Sequence, residues 1–411
     1  MDSRILARRT RGVFAALATG ALLVTAGCGS SDDSGASTGG SGGGGEKGEI
    51  VIGATGPLSG PASSLGELYK GMNAKLDEIN RAGGIDGNRV KLVVKDDQLN
   101  PANTPGVARQ LVEGDNVSMM CGVAGSPTTV SIMPYLKARR IALVAAAGSS
   151  ELTDDNAFLP LPTYPSLAAG ITKYAVEEMG KRKVAIAYTD DAVGNPTLAG
   201  TKWQLEQMGL EPVAEVKFNG QAPDQSATAA KLKDSGADFV VLNNTAPIVA
   251  SVIRASAKVG YKPEWGVLWP ALNRGMVELS GGTIDDNVIF ASPFPLGDSD
   301  RAQTFRDALR TSGQRADATD SIVMLGWVTA TACLEVIRRA VQEAGGGKPS
   351  REQIVEAMPG LTYSDDYVSN LEWTKENHAV RGDALIVGIR GGRFEALTDF
   401  QPLPDAPTDE G

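Results

Sequence analysis

The sequence predicts an α/β protein built from two lobes with parallel sheets, and three observations carry that expectation. Short apolar runs of strand length alternate with stretches of helix length from residue 49 onward, and the scheme starts again near residue 183. About 360 residues follow this pattern, more than a single hydrophobic core encloses, so two lobes are the economical arrangement.

In the first half, IVIGAT (50–55), VKLVVK (90–95), VSMMCG (117–122) and IALVAAA (141–147) read as buried strands. They lack the polar alternation of a half-exposed sheet. Between them lie GELYKGMNAKLDEINRAGG (66–84), PANTPGVARQLVEG (101–114) and SPTTVSIMPYLKARR (126–140), amphipathic stretches of helix length. The second half repeats the strands as KVAIAYTDD (183–191), PVAEVKF (212–218), DFVVLNN (238–244), WGVLW (265–269) and NVIFAS (287–292). Its helices are TLAGTKWQLEQMG, SATAAKLKDSG and PIVASVIRASAKVG. Residues 299–312 and 317–344 read as helical, and LEWTKE with DALIVGIRGGRFEAL as antiparallel strands.

The amino-terminal segment is of another kind. Arg4, Arg8, Arg9 and Arg11 precede the apolar and small run from Gly12 to Val24, the pattern of a secretory signal peptide. That run is too short for a bilayer, which needs about 20 residues. Thr25-Ala26-Gly27-Cys28 resembles the bacterial lipobox, which implies a lipid on the Cys28 thiol and a new chain start there after loss of 1–27. Residues 28–48 continue as a Gly/Ser-rich tether, and about twenty such residues reach roughly 25 Å. The expected location is the extracytoplasmic face of the cell membrane, on a lipid anchor.

Removing residues 1–27, with their four arginines and one aspartate, lowers the net charge from −10 to −13. So acidic a chain is a poor partner for nucleic acid. Outside the anchor the cysteines are Cys121 and Cys333. Two cysteines outside the cell can pair, yet each sits where a small buried hydrophobe would serve, and the sequence favours separate thiols. No second run reaches transmembrane length by eye.

The stretch IGATGPLSGPASSLGELYKGMNAKLDEINRAGGIDGNRVKLVVKDDQLNP closely resembles the start of type I periplasmic binding proteins of the branched-chain amino-acid (Leu/Ile/Val) class. Further matches are CGVAGSPTT, SSELTD, the YTDDAVG turn and GADFVVL, so the resemblance spans about 49–400. It implies two Rossmann-like lobes joined by three crossovers, closing on a small solute that passes to an ABC permease. By that pattern lobe 1 takes 49–164 and 294–371, lobe 2 takes 165–293 and 372–405, and 406–411 form a disordered tail. The resemblance further implies a monomer without a cofactor or metal; a ligand-sensing lipoprotein without a transport role is the alternative.

Of the site residues, Ser126 reads as a helix N-cap followed by Pro127, with the N–H groups of Thr128 and Thr129 free at the positive helix end. Such an end binds a carboxylate. The resemblance adds Ala146, Gly148 and Ser149 from the next loop, and Leu65, Val193, Thr245 or Ala246, and Trp269 as pocket walls. Trp269 stands where amino-acid binders carry the acid that receives the ammonium. An ammonium desolvated without a counter-charge costs several kcal/mol, which favours a deaminated or apolar relative of the amino acid. Asp190 and Asp191 are the remaining acids for a cationic group.

Other chemistry lacks its parts. GATGPLSG departs from G-x-G-x-x-G, and GGGKPS fails as a phosphate loop at Pro349. The one histidine, His378, lies in a polar turn that reads as surface, and no G-x-S-x-G, C-x-x-C or H-E-x-x-H occurs. An enzyme is not expected.

Overall fold

The computed structural model describes residues 47–407 apart from Pro61 and Asp285. The signal segment, Cys28 and nearly all of the tether lie outside the described residues, as do residues 408–411 of the expected tail. Ala406, counted with that tail from the sequence, is buried.

The first sheet is laid down by β1 (Glu49–Gly56), α1 (Leu68–Arg81), β2 (Arg89–Asp96), α2 (Thr104–Arg109), β3 (Met119–Ala124), α3 (Ser126–Ala138), β4 (Leu143–Ala146) and β5 (Ala157–Phe158). All its pairings are parallel, in the order β2-β1-β3-β4-β5. Every residue of β3 and β4 is buried, which is why they read as unbroken apolar runs.

The chain then crosses to α4 (Tyr164–Glu177), β6 (Val184–Tyr188), α5 (Gly194–Gln207), β7 (Ala214–Lys217), α6 (Ser226–Asp234), β8 (Phe239–Leu242), α7 (Ala246–Lys258), β9 (Glu264–Leu268), α8 (Arg274–Leu279) and β10 (Val288–Ser292). It returns to pack α9 (Gln303–Thr311) and α10 (Ser321–Glu343) against α1, and continues through α11 (Arg351–Glu356), β11 (Thr362–Tyr363) and β12 (Leu371–Glu372). A third crossing delivers β13 (Asp383–Arg390), β14 (Arg393–Ala396) and β15 (Gln401–Pro402). The second sheet runs β14-β13-β10-β9-β8-β6-β7, parallel from β7 to β10 and antiparallel where β13 and β14 join. The architecture is therefore two α/β lobes joined by three crossovers.

The crossings are tied to one another. Leu159 N–H donates to the His378 carbonyl at 2.8 Å, and Trp373 Nε1 donates to the Leu159 carbonyl at 2.9 Å. The His378 ring lies against Phe158, centroids 4.3 Å apart, so it is half-buried packing rather than the open surface residue its turn suggests.

One buried cluster extends from Ile50 and Ile52 through α10 to Leu268 and Trp269, and two smaller ones fill the outer faces. At its heart α1 and α10 touch backbone to backbone. A Cβ on Gly71 would stand 1.9 Å from the Val323 carbonyl, and one on Gly326 1.9 Å from that of Leu68. α10 is long and apolar enough to cross a bilayer, contrary to the reading of the sequence by eye, yet 89% of its apolar window is buried inside the protein. Packing on all sides explains its composition.

Cys121 of β3 and Cys333 of α10 form a disulfide, with Cα atoms 6.3 Å apart and a sequence separation of 212. This corrects the expectation of separate thiols. Both cysteines are buried, as expected, but they occupy the same point of the core, which two runs so distant in sequence do not reveal.

Candidate functional site

In each sheet the strand order reverses at one point, between β1 and β3 in the first and between β6 and β8 in the second. The carboxyl ends of strands beside such a point form the usual ligand crevice of open α/β sheets. The segments that leave these ends carry the candidate residues.

After β3 the chain turns at Gly125, whose φ of 86° only glycine adopts without strain. Gly125 is the cap of α3, since its carbonyl accepts the first helical bond, from Thr129 N–H at 3.1 Å. This corrects the sequence reading in two ways. Ser126 lies inside the helix rather than at its cap, and the Thr129 N–H is already spent. The Ser126 side chain is 1% exposed and its Oγ has no hydrogen-bond partner among the described residues. Thr128 is buried with its hydroxyl turned back onto the Gly125 carbonyl at 2.7 Å. Of the hydroxyls at this helix start, Ser126 is therefore the one not bonded to the backbone.

The loop after β4 carries Ala147, Gly148 and Ser149, all buried. Ser149 Oγ accepts from Glu151 N–H at 3.4 Å and caps a short turn. The Gly148 carbonyl accepts from Tyr164 N–H at 2.6 Å, and a Cβ on Gly148 would meet the Tyr164 ring at 2.8 Å. Burial pushes the Tyr164 phenol up to about 12, with the Gly148 N–H and Ser126 pulling the other way and the Asp191 charge adding to the rise. Tyr164 thus sits among Ser126, Gly148 and the field of Asp191.

On the second sheet, Asp191 Oδ1 accepts from Val193 N–H at 2.9 Å, Gly194 N–H at 3.0 Å and the Thr189 hydroxyl at 2.9 Å, the bonds of a helix cap for α5. Asn244 donates to Thr189 Oγ1 at 3.4 Å and accepts from Thr245 N–H at 2.9 Å. Asp190 is exposed and paired with Lys217, which together with Asn195 holds its carboxyl below the usual range. Val193 and Thr245 are half-buried beside this network. Asn243, 1% exposed, donates to Thr197 Oγ1 at 3.0 Å while its Oδ1 has no partner.

Trp269 follows β9 in a short 3-10 turn and is 2% exposed. Its carbonyl accepts from Ser321 Oγ at 2.7 Å, which ties this turn of the second lobe to the first turn of α10. A neighbouring ion pair, Arg274 with Asp317 at 3.1 Å, links the same two regions. The indole stands 6.4 Å from the Tyr164 ring and edge-on to Phe294 at 5.5 Å, and its Nε1 has no acceptor among the described residues.

Ser126, Gly148 and Trp269 are therefore gathered around Tyr164, while Val193 and Thr245 belong to the Asp191 network. Ala146 is buried at the end of β4. Leu65 packs half-buried in the turn before α1, and no hydrogen bond or ring contact joins it to the others. Sequence reasoning missed Tyr164, Phe294 and Asn243. Only the position of Asn243 directly after a buried apolar strand could have marked any of them.

The sequence matches the profile of the periplasmic binding protein family over residues 49–393. Leu/Ile/Val-binding protein homolog 3 of Brucella melitensis is 26% identical over 353 residues, which cover 77% of this chain and 88% of that protein. A branched-chain amino acid ABC transporter structure from Thermus thermophilus with bound valine is similar with a TM-score of 0.77 at 21% identity, covering 87% of this chain and 97% of that one. An ABC transporter solute-binding protein from R. palustris in complex with 4-hydroxybenzoate gives 0.76 at 20% identity, covering 87% and 98%. At these identities the two structures speak for the fold.

Proposed function

We propose a function on one premise: the chain belongs to the periplasmic binding protein family, whose members are solute-binding proteins and not enzymes. It captures a small carboxylate solute between its lobes and delivers it to an ABC import permease, from a lipid anchor at Cys28 on the outer face of the membrane. Lobe 1 comprises roughly 49–164 and 294–371, and lobe 2 roughly 165–293 and 372–405.

The observation that carries this reading is the buried Ser126 hydroxyl at the start of α3, which no backbone group engages and which faces only the Tyr164 phenol. Buried hydroxyls are nearly always hydrogen-bonded, so one without a partner beside a helix amino terminus favours an anionic oxygen from a ligand. The Ala146–Ser149 loop lines the same end, and Leu65, Val193, Thr245 and Trp269 serve as walls. The ligands named for the two structures above, valine and 4-hydroxybenzoate, share a carboxylate, and only valine adds an ammonium. At the far end of this cleft Asp190 is committed to Lys217 and Asp191 to the cap of α5. That arrangement supports a solute without a cation, a branched-chain or hydrophobic acid in deaminated form.

Thermal shift tests the reading. A ligand at a hundred times its dissociation constant adds about 2.7 kcal/mol of stability. The expected result is stabilisation by 4-methyl-2-oxopentanoate at least equal to that by leucine. Tight leucine binding with no response to the keto acid would reject the deaminated solute.

A further inference from the structure

We infer that the Trp269 indole N–H reads an uncharged oxygen acceptor on the solute, so that the site selects 2-oxo acids over both amino acids and simple fatty acids. This deepens the carboxylate reading above and rests on it.

Each lobe contributes one buried donor. Ser126 Oγ from the first lobe and Trp269 Nε1 from the second are both more than nine-tenths buried; the indole N–H has no acceptor among the described residues, and the serine hydroxyl has no backbone partner and faces the Tyr164 phenol. Tyr164 stands between them, with its hydroxyl facing Ser126 and its ring 6.4 Å from the indole. Leaving a polar group buried and unpaired is costly, and native structures pair nearly all of them. An indole N–H donates and never accepts. It therefore cannot receive an ammonium, whereas a carbonyl oxygen satisfies it. A carboxylate with a neighbouring carbonyl offers one acceptor to each lobe, which is the chemistry of a 2-oxo acid.

The rest of the Trp269 environment leaves the ring little freedom to turn away. Its carbonyl is held by Ser321 Oγ, Phe294 meets it edge-on, and Leu272 N–H bonds the same carbonyl at 2.8 Å. Of the acids in range, Asp191 holds two backbone N–H groups and Thr189 on Oδ1, Asp317 is paired with Arg274, and burial pushes the Asp320 carboxyl beside Ser321 toward its neutral form, so none is a fully charged and unengaged partner for an ammonium.

Trp327 provides an internal control. It also buries an indole N–H without a partner, but it packs between Phe305 and Tyr367 beneath Lys75 in the first lobe.

The experiment compares three ligands on three proteins by calorimetric titration: 4-methyl-2-oxopentanoate, 4-methylpentanoate and leucine on the unaltered chain, Trp269→Phe and Trp327→Phe. The unaltered protein and Trp327→Phe are expected to prefer the keto acid over 4-methylpentanoate at least tenfold. Trp269→Phe is expected to bind the two acids alike. Retention of the preference in Trp269→Phe overturns the inference and leaves the carboxylate reading standing. Failure of all three ligands on the unaltered protein overturns both. The indole N–H resonances of the unaltered protein give the same test if the variant does not fold. One of the five tryptophans should move downfield with the keto acid and stay in place with 4-methylpentanoate; five unmoved signals would sink the idea.

Discussion

On the wall formed by the first sheet, Ser126 Oγ has no backbone partner, whereas on the facing wall Asp191, Thr189 and Asn244 are bonded to one another. The strand ends supply similar small polar residues in both cases. What differs is how each helix is capped. α3 is capped by a glycine backbone, which leaves its neighbouring hydroxyl for a ligand. At the start of α5 a carboxylate, Asp191, holds the Val193 and Gly194 N–H groups, which ties it to the helix start. On the function proposed above, the first wall would hold one end of the solute, and on the second the unbonded atoms of Trp269 and Asn243 would meet the other end.

The walls also differ in reinforcement. The disulfide lies wholly behind the first one, joining β3 to α10. Replacing Cys121 and Cys333 by alanine should cost about 2–5 kcal/mol, measured by denaturant unfolding. Hydrogen exchange should rise first in β3 and α10 and last in β6 and β8. Equal acceleration in both sheets would mean the lobes unfold as one unit and would erase this contrast.

A second substitution tests the unspent hydroxyl. Ser126→Ala should reduce affinity for a carboxylate by about 1–3 kcal/mol while leaving the melting temperature nearly unchanged, because the side chain caps nothing. A variant that melts earlier but binds normally would assign Ser126 to structure and make the two walls alike.

A third prediction concerns the joint between the walls. Asp320 caps α10 by accepting from Ile322 N–H at 2.9 Å, next to the Ser321 that holds Trp269. Burial pushes its carboxyl up from 3.8 to about 7, with the Asp317 and Glu67 charges adding and Ile322 N–H and Lys70 opposing. The folded state thus prefers the protonated form. Its contribution is full below about pH 4 and is lost as the pH rises to about 7. Asp320→Asn should flatten that decline in stability across the window; an unaltered pH profile would show that Asp320 does not govern it.

How much of this was legible in the sequence follows the same division between periodic and non-periodic signals. The strands buried on both faces appeared as apolar runs, and the two rounds of alternation gave the two sheets. The helix α4 was not marked, although nine of its residues are buried, because it directly follows a crossing rather than a recognised strand. The cap of α3 was placed one residue late because Ser-Pro is a strong start signal, while the left-handed turn at Gly125 outweighs it in three dimensions. Tyr164 and Phe294 stand on crossing segments, where no repeat points to a cleft. The pairing of Cys121 with Cys333 depends on contact between α10 and β3, which no local pattern encodes.

The discontinuity of both lobes has a consequence for how the chain is made. The first sheet ends at Phe158, but the helix that covers it begins at Ser321. The second sheet waits for β13 at Asp383. Until those segments emerge, neither core can close, and folding domain by domain from the amino terminus is not open to this protein. Native contacts of such sequence separation also form slowly. Because α1, β3 and β4 precede α10 in the chain, it is their apolar faces that stay uncovered until α10 emerges. The close approach of Gly71 to Val323 and of Gly326 to Leu68 thus ends that exposure, and a side chain at either glycine would be felt first in yield and aggregation.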